Sequence, residues 1–299
     1  MSITTCILHH HIGTESSFER GLAVASDPEV YERQVAQLAL DYDIIDLERL
    51  LHGPLPKRPL LMTFDDAYRS VLDAVETVLA PMGLPSVFFI NPSLLKENVV
   101  SFDNTLAWAT NTVGLEKLCA EIGVPIAESV GALITQTLND RNATERAAIK
   151  DQVLRAFGPP DLSPRAPLLR PADLPRLVDL KVEIGNHTMT HISGRALKAE
   201  EMEREITTAK TELEALSGSR VRSFSVPYGH ERDLTPELTN FLRDTGHVAI
   251  FLVHARANNY RPAPDVWYRT SLHNEDPGTL KTSLRLKPIL RSFKHRFLG

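Results

Sequence analysis

Seven short apolar runs punctuate this chain, and helical periodicity fills the stretches between most of them. The runs are Ile3–Leu8, Pro59–Phe64, Ser86–Ile90, Val182–Gly185, Ser223–Val226, Val248–Val253 and Trp267–Leu272. Several are apolar at consecutive positions, as strands buried on both faces are. Helical patterns occupy Pro28–Leu40, Ala67–Met82, Ala172–Leu180, Ala199–Leu216 and Thr235–Thr245. Thr235-Pro236 reads as an N-cap followed by proline, and Gly83, Gly218 and Gly246 fall where C-terminal caps belong. Alternating strand and helix predicts an α/β fold with a mainly parallel sheet, and about seven strands favour closure into a (β/α) barrel.

The stretch from about 98 to 170 breaks this rhythm. It carries helical patterns at Thr105–Leu118, Ser129–Leu138 and Ala143–Phe157 and ends in Gly158-Pro159-Pro160, then Pro164 and Pro167. It is expected to be a helical insertion in a barrel spanning residues 1–279. Residues 280–299 form a different segment. After Asp276 there is no acid, while Lys281, Arg285, Lys287, Arg291, Lys294 and Arg296 alternate with Leu280, Leu284, Leu286, Ile289, Leu290, Phe293 and Phe297. This pattern is that of a basic amphipathic tail, interrupted by Pro288, that suits either docking on the domain or peripheral contact with an anionic membrane.

Charge and composition exclude several classes. A net charge of −5 argues against broad contact with nucleic acid. Two cysteines, Cys6 and Cys119, make no disulfide framework and read as core residues. No run reaches the roughly 18–20 apolar residues of a membrane span, and the first residues lack a basic leader pattern. A cytoplasmic location is expected, while the oligomeric state is not legible.

Chemistry concentrates at three strand ends. Thr63-Phe64-Asp65-Asp66 places two acids at the C-terminal end of a buried strand, where ligands bind in parallel α/β folds. A competing reading, the weaker of the two, has one of them cap the next helix. His187 and His191, spaced as on one side of a helical turn, follow the next motif strand. Two histidines and a carboxylate leave coordination positions open, as catalytic metal centres do. Pro227-Tyr228-Gly229 forces a tight turn after a third strand.

These three motifs, in this order, resemble the first three motifs of carbohydrate esterase family four, the polysaccharide deacetylases. The likeness covers about residues 3–12, 58–97 and 171–273, and extends to Phe88-Phe89-Ile90 and Ile184-Gly185-Asn186. It implies a distorted (β/α) barrel. It implies Asp65 as general base and Asp66, His187 and His191 as ligands of a divalent metal, usually zinc. It also implies that the Tyr228 backbone N–H completes an oxyanion hole. Pro227, Gly229 and His273 are expected at the substrate site.

Two positions depart from the family pattern. Ser225 stands where many members carry Arg, and the usual late Leu-x-His motif is not recognisable. Both departures resemble the poly-N-acetylglucosamine deacetylase-like subgroup, where a first-strand histidine is implied as general acid. Leu8-His9-His10-His11-Ile12 aligns His10 with that position, leaving His9, His11 and His273 as alternatives. Trp267-Tyr268-Arg269 resembles a late strand of the subgroup. Arg269 would then replace the missing charge and hold Asp65 ionised, or else pair with any acid at the barrel end. Trp108 suits either sugar stacking or helix packing, with packing expected.

The resulting expectation is a metal-dependent hydrolase that removes acetyl from an N-acetylated amino sugar in polysaccharide or glycolipid metabolism. Two other readings compete. One is a metal-dependent amidase on a non-sugar linear or cyclic amide. The other is a degenerate sugar-binding member without turnover.

Overall fold

Seven parallel strands close on themselves: β1 (Thr5–His9), β2 (Pro59–Phe64), β3 (Ser86–Ile90), β4 (Val182–Asn186), β5 (Ser223–Ser225), β6 (Ala249–Val253) and β7 (Val266–Ser271). Each pairs with its successor in the chain, and β7 returns to β1 through Ile7 opposite Thr270. A short strand, Asp43–Ile44, adds to the start of β2. The expected (β/α) barrel is present, and its strands lie within two residues of the seven apolar runs. The computed structural model describes residues 3–22, 24–96, 99–162, 168–254, 256–260 and 263–284.

Side chains alternate along each strand with a period of two. Cys6, Leu61, Val87, Phe89, Ala249, Phe251 and Trp267 form one apolar cluster. Their strand neighbours Leu60, Met62, Phe88 and Ile184 belong to a separate cluster shared with the outer helices. Burial on both faces explains why the runs lack polar alternation. Two residues beyond Leu61 and Trp267, on the same faces, stand Thr63 and Arg269. The apolar layer therefore gives way to a polar one at the C-terminal ends of the strands.

Helix α1 (Pro28–Asp41) begins where Asp27 accepts bonds from the amides of Glu29 and Val30. Helix α2 (Arg69–Ala74) continues through a wider turn over Val75–Leu79. It starts two residues later than its sequence pattern predicts, because Ala67 and Tyr68 pair with the chain returning from the insertion. Leu169 N–H donates to Ala67 O at 2.7 Å, and Tyr68 bridges to Leu168.

The insertion folds as helices α3 (Phe102–Val113), α4 (Leu115–Ile122) and α5 (Ala143–Phe157), with a shorter turn over 130–137. The single helix expected over Thr105–Leu118 is split at Gly114, whose φ of 88° lies outside helical space. Helix α3 starts three residues early, at Phe102, where Ser101 caps it by accepting from Asn104 N–H at 2.9 Å. Leu106, Leu118, Leu133 and Val153 give the insertion its own core. Trp108 and Cys119 lie in that core, so Trp108 packs rather than faces sugar. Both cysteines are buried, and neither is in a disulfide.

Residues 277–284 are helical. Leu280 and Leu284 join the core, and Lys281 Nζ reaches Asp41 Oδ1 at 2.6 Å. The start of the expected tail thus docks on the barrel. Arg285, Lys287, Arg291, Lys294 and Arg296 lie outside the described residues. No helix among the described residues is long and apolar enough to cross a membrane.

Candidate active site

The two acids that end β2 diverge. Asp65 extends the ladder, its N–H donating to His9 O at 3.2 Å, and its side chain is buried. Asp66 turns into the left-handed region with φ 70°, which Asp tolerates better than most residues. Thr188, His191 and Tyr228 share this backbone state, with φ of 64°, 59° and 63°. Four left-handed non-glycine residues in one site indicate strain concentrated at a functional centre.

The spacing of His187 and His191 predicts a helical turn, and the structure corrects this to an irregular loop. Side-chain amides supply the bonds a helix would have made. Asn91 Nδ2 donates to His187 O and, at 3.0 Å, to Thr188 O. Asn186 Oδ1 accepts from Thr188 N–H at 3.0 Å. The two imidazoles still converge, with centroids 4.9 Å apart. Asp66 Oδ1 lies 3.7 Å from His187 Nε2 and 3.5 Å from His191 Nε2. One donor atom from each of the three lies within 4.8 Å of the others.

This donor set fits a divalent cation. His187 Nδ1 donates to Ser225 O at 2.8 Å, and His191 Nδ1 donates to Asp103 Oδ2 at 2.9 Å. A carbonyl and a carboxylate only accept, so each Nδ1 carries the proton and each Nε2 keeps its lone pair for a shared centre. Burial, opposed chiefly by Asp65, lowers the His187 pKa to about 4 and keeps it a neutral donor. Burial also opposes charge on His191, but Asp66 and Asp103 outweigh it and raise that pKa.

Arg269 is fully buried and grips Asp65 with both arms. Nη1 meets Oδ1 at 2.6 Å and Nη2 meets Oδ2 at 2.7 Å. Nη2 also donates to Ser225 Oγ at 2.6 Å, and that hydroxyl donates to Asp65 Oδ2 at 3.0 Å. Burial alone would raise the Asp65 pKa, but Arg269 and then His187 hold it well below the usual carboxylate range. Arg269 thus pairs with Asp65 and bonds the Ser225 hydroxyl in one buried cluster.

A cavity of about 210 Å³ opens over these residues. Ser101, Asp103, Asn104, Gly131, Ile134 and Thr135 of the insertion line it, opposite Asp65, Asp66 and the two histidines. A larger cavity of about 300 Å³ lies beside Thr5, Arg58 and Arg256 and holds none of the motif residues. The chemistry places the site in the smaller one.

Residues 52–250 match the model of a family described as polysaccharide deacetylase. The chain belongs to the polysaccharide deacetylase family. As a member it is a carbohydrate N-deacetylase. No curated protein matches its sequence. Among solved structures, it resembles the deacetylase PplD of Streptococcus pyogenes with a TM-score of 0.64 at 10% identity, covering 95% of this chain and 98% of that one. It resembles IcaB of Ammonifex degensii with a TM-score of 0.58 at 16% identity, covering 95% and 98%. It also resembles the BpsB deacetylase domain of Bordetella bronchiseptica with a TM-score of 0.54 at 17% identity, covering 90% and 96%. At such identities the likeness lies in the fold.

The histidine run of this deacetylase sorts itself by contact. His9 is buried against Tyr31, with Nδ1 3.3 Å from Ser26 Oγ. His11 is held by Ser70 Oγ at 2.9 Å and Thr14 O at 3.2 Å. His10 lines the cavity, and its buried Nδ1 has no hydrogen-bond partner among the described residues. Burial, opposed by Asp66 and Asp65, lowers the His10 pKa. His273 lines the same cavity.

The third motif is built as a clamp. Gly229 takes φ 70°, and a Cβ there would sit 2.4 Å from Val253 N, so no other residue fits. Tyr228 projects into the cavity with its ring 4.9 Å from that of His191. Pro227 and Gly229, expected at the substrate site, are buried and absent from the cavity lining; they shape the turn that presents Tyr228.

Two site residues carried no sequence signal. Asp103 sits in the first turn of α3, where an acid reads as ordinary complement to the helix dipole. Arg146 lies in the first turns of α5, past its Asn142 cap. Its Nη1 donates to Tyr228 Oη at 2.8 Å and to His191 O at 3.1 Å. Only the three-dimensional return of the insertion over the barrel mouth brings them to the site.

Proposed function

We propose that this deacetylase hydrolyses the N-acetyl amide of an amino sugar with the help of a divalent metal held by Asp66, His187 and His191. The observation that carries the reading is the convergence of these three donors beside an Arg-paired Asp65. Asp66, His187 and His191 would hold the cation, which would supply Lewis-acid chemistry toward the amide carbonyl and water. Zinc suits a His₂–carboxylate set best.

The protein's own groups divide the remaining work. Asp65, kept ionised by Arg269, takes the proton of the attacking water. Water oxygen bonds to the carbonyl carbon, and the carbon–nitrogen bond then breaks. The departing amine needs a proton, and we assign its delivery to His10, which lines the cavity, acting in its protonated form while Asp65 returns the proton it took to solvent. The Tyr228 turn contributes a backbone donor to the developing oxyanion, an effect of about 3–4 kcal/mol for such a donor. The products are a free amine and acetate. PplD, of the same fold, was solved in complex with acetate.

The test is acetate release from N-acetylglucosamine oligomers and from their conjugates. A metal-reconstituted sample should release acetate, and Asp65→Asn should lower the rate by several orders of magnitude. Release of no acetate from any N-acetylated sugar, with turnover of a non-sugar amide instead, would redirect the proposal to an amidase.

A further inference from the structure

We infer that Asp103, supplied by the helical insertion, is a positioning residue that completes the metal centre. The inference rests on the reading of Asp66, His187 and His191 as metal ligands. It goes beyond that reading because Asp103 belongs to none of the motifs and lies outside the barrel.

The geometry is specific. Asp103 Oδ2 accepts from His191 Nδ1 at 2.9 Å, and Tyr228 Oη donates to Oδ1 and Oδ2 at 3.0 and 3.1 Å. One carboxylate therefore fixes both the tautomer of a ligand and the side chain of the third-motif turn. Its side chain is only 13% exposed, so neither bond competes freely with water. Arg146, also from the insertion, donates to Tyr228 Oη and His191 O and packs over Tyr228 and Phe102, with its guanidinium carbon 5.4 and 5.0 Å from the ring centroids. The buried anion thus has a buried counter-charge. A histidine that ligates through Nε2 gains basicity and a fixed orientation when a carboxylate takes its other N–H. His187 has only a backbone carbonyl in this role, so His191 is the ligand whose strength depends on a replaceable side chain.

The experiment measures the Zn²⁺ dissociation constant of the full chain by competition with a chromophoric chelator. Wild type, Asp103→Ala, Asp103→Asn and Asn111→Ala are compared, with melting curves for each. Asn111 lies on the same helix and ties it to Ser17 O and Arg20 O, away from the ligands. Asp103→Ala should weaken zinc about 10–100-fold. Asp103→Asn, which keeps an acceptor but not the charge, should fall between, and it carries the test if the alanine variant does not fold. Asn111→Ala should leave the constant unchanged. Equal affinity of wild type and both Asp103 variants would overturn the inference, as would an equal loss in Asn111→Ala. A wild type that binds no divalent ion would instead overturn the metal reading, and this inference with it.

Discussion

Asp65 and Arg269 form a doubly hydrogen-bonded ion pair at 2.6 and 2.7 Å, although 204 residues separate them in the chain. Both side chains are almost completely removed from solvent, at 3% and 0% exposure. The pair joins the end of β2 to β7 across β1, and it holds the Asp65 carboxyl ionised against its burial.

Breaking the pair should be expensive. Arg269→Ala leaves a buried carboxylate unpaired, which destabilises by about 3–5 kcal/mol. It should also raise the Asp65 pKa and remove turnover at neutral pH. Arg269→Lys keeps a charge but not the planar fork, so denaturant titration should place it between wild type and alanine. A double change, Asp65→Asn with Arg269→Met, should recover stability but no activity. Equal stability of wild type and Arg269→Ala would contradict this account.

The general acid can be identified by comparing four histidines. His10→Gln should lower kcat by about 10²–10⁴-fold while zinc content stays near wild type. His9→Gln and His11→Gln should act on melting temperature instead, since His9 packs against Tyr31 and His11 bonds Ser70 and Thr14. A large kcat loss in His273→Gln with none in His10→Gln would transfer the role to His273.

Acid should weaken the fold through His247. This buried imidazole contacts Leu242 O through Nδ1 and the Asn186 amide through Nε2, at 3.3 Å each. Burial and then Lys210 lower its pKa from 6.5 to about 4. Between those values the unfolded chain binds the proton and the folded one does not. The contribution of His247 to stability is therefore full above about pH 6.5 and is lost as pH drops toward about 4, by up to about 3 kcal/mol. Because Asn186 precedes a proposed metal ligand, loosening there reaches the site. His247→Gln should show a smaller loss of melting temperature between about pH 7.5 and about pH 5 than wild type. Parallel melting shifts in the two proteins would refute the assignment.

The roof of the cavity should set what enters. Its volume of about 210 Å³ is below that of common drug-sized pockets, roughly 300–1,000 Å³. Thr135→Trp, which fills it from the insertion side, should raise KM or abolish turnover without loss of zinc. Unchanged kcat/KM on every N-acetylated substrate would show that substrate binds elsewhere.

Much of this was legible in the sequence because the barrel strands are buried on both faces. Pro59–Phe64 and Ser86–Ile90 match their apolar runs residue for residue. The motif acids and histidines were legible because strand ends in a parallel barrel converge. The shape of the His187–His191 loop was not, since i,i+4 spacing serves a helix and a left-handed loop equally. Asp103 and Arg146 were illegible for another reason. Their sequence surroundings are those of ordinary helix first turns, and only long-range packing of the insertion gives them partners. Arg269 was intermediate: its strand was evident, but its partner was set by barrel closure.

The central claim is metal-dependent removal of acetyl by Asp66, His187 and His191. The most direct measurement is acetate release from an N-acetylglucosamine oligomer by protein stripped of metal, then reloaded with one equivalent of Zn²⁺, alongside Asp66→Ala treated identically. The account predicts no release from the stripped protein, recovery on reloading, and no recovery in Asp66→Ala. Undiminished release from stripped protein or from Asp66→Ala would contradict it.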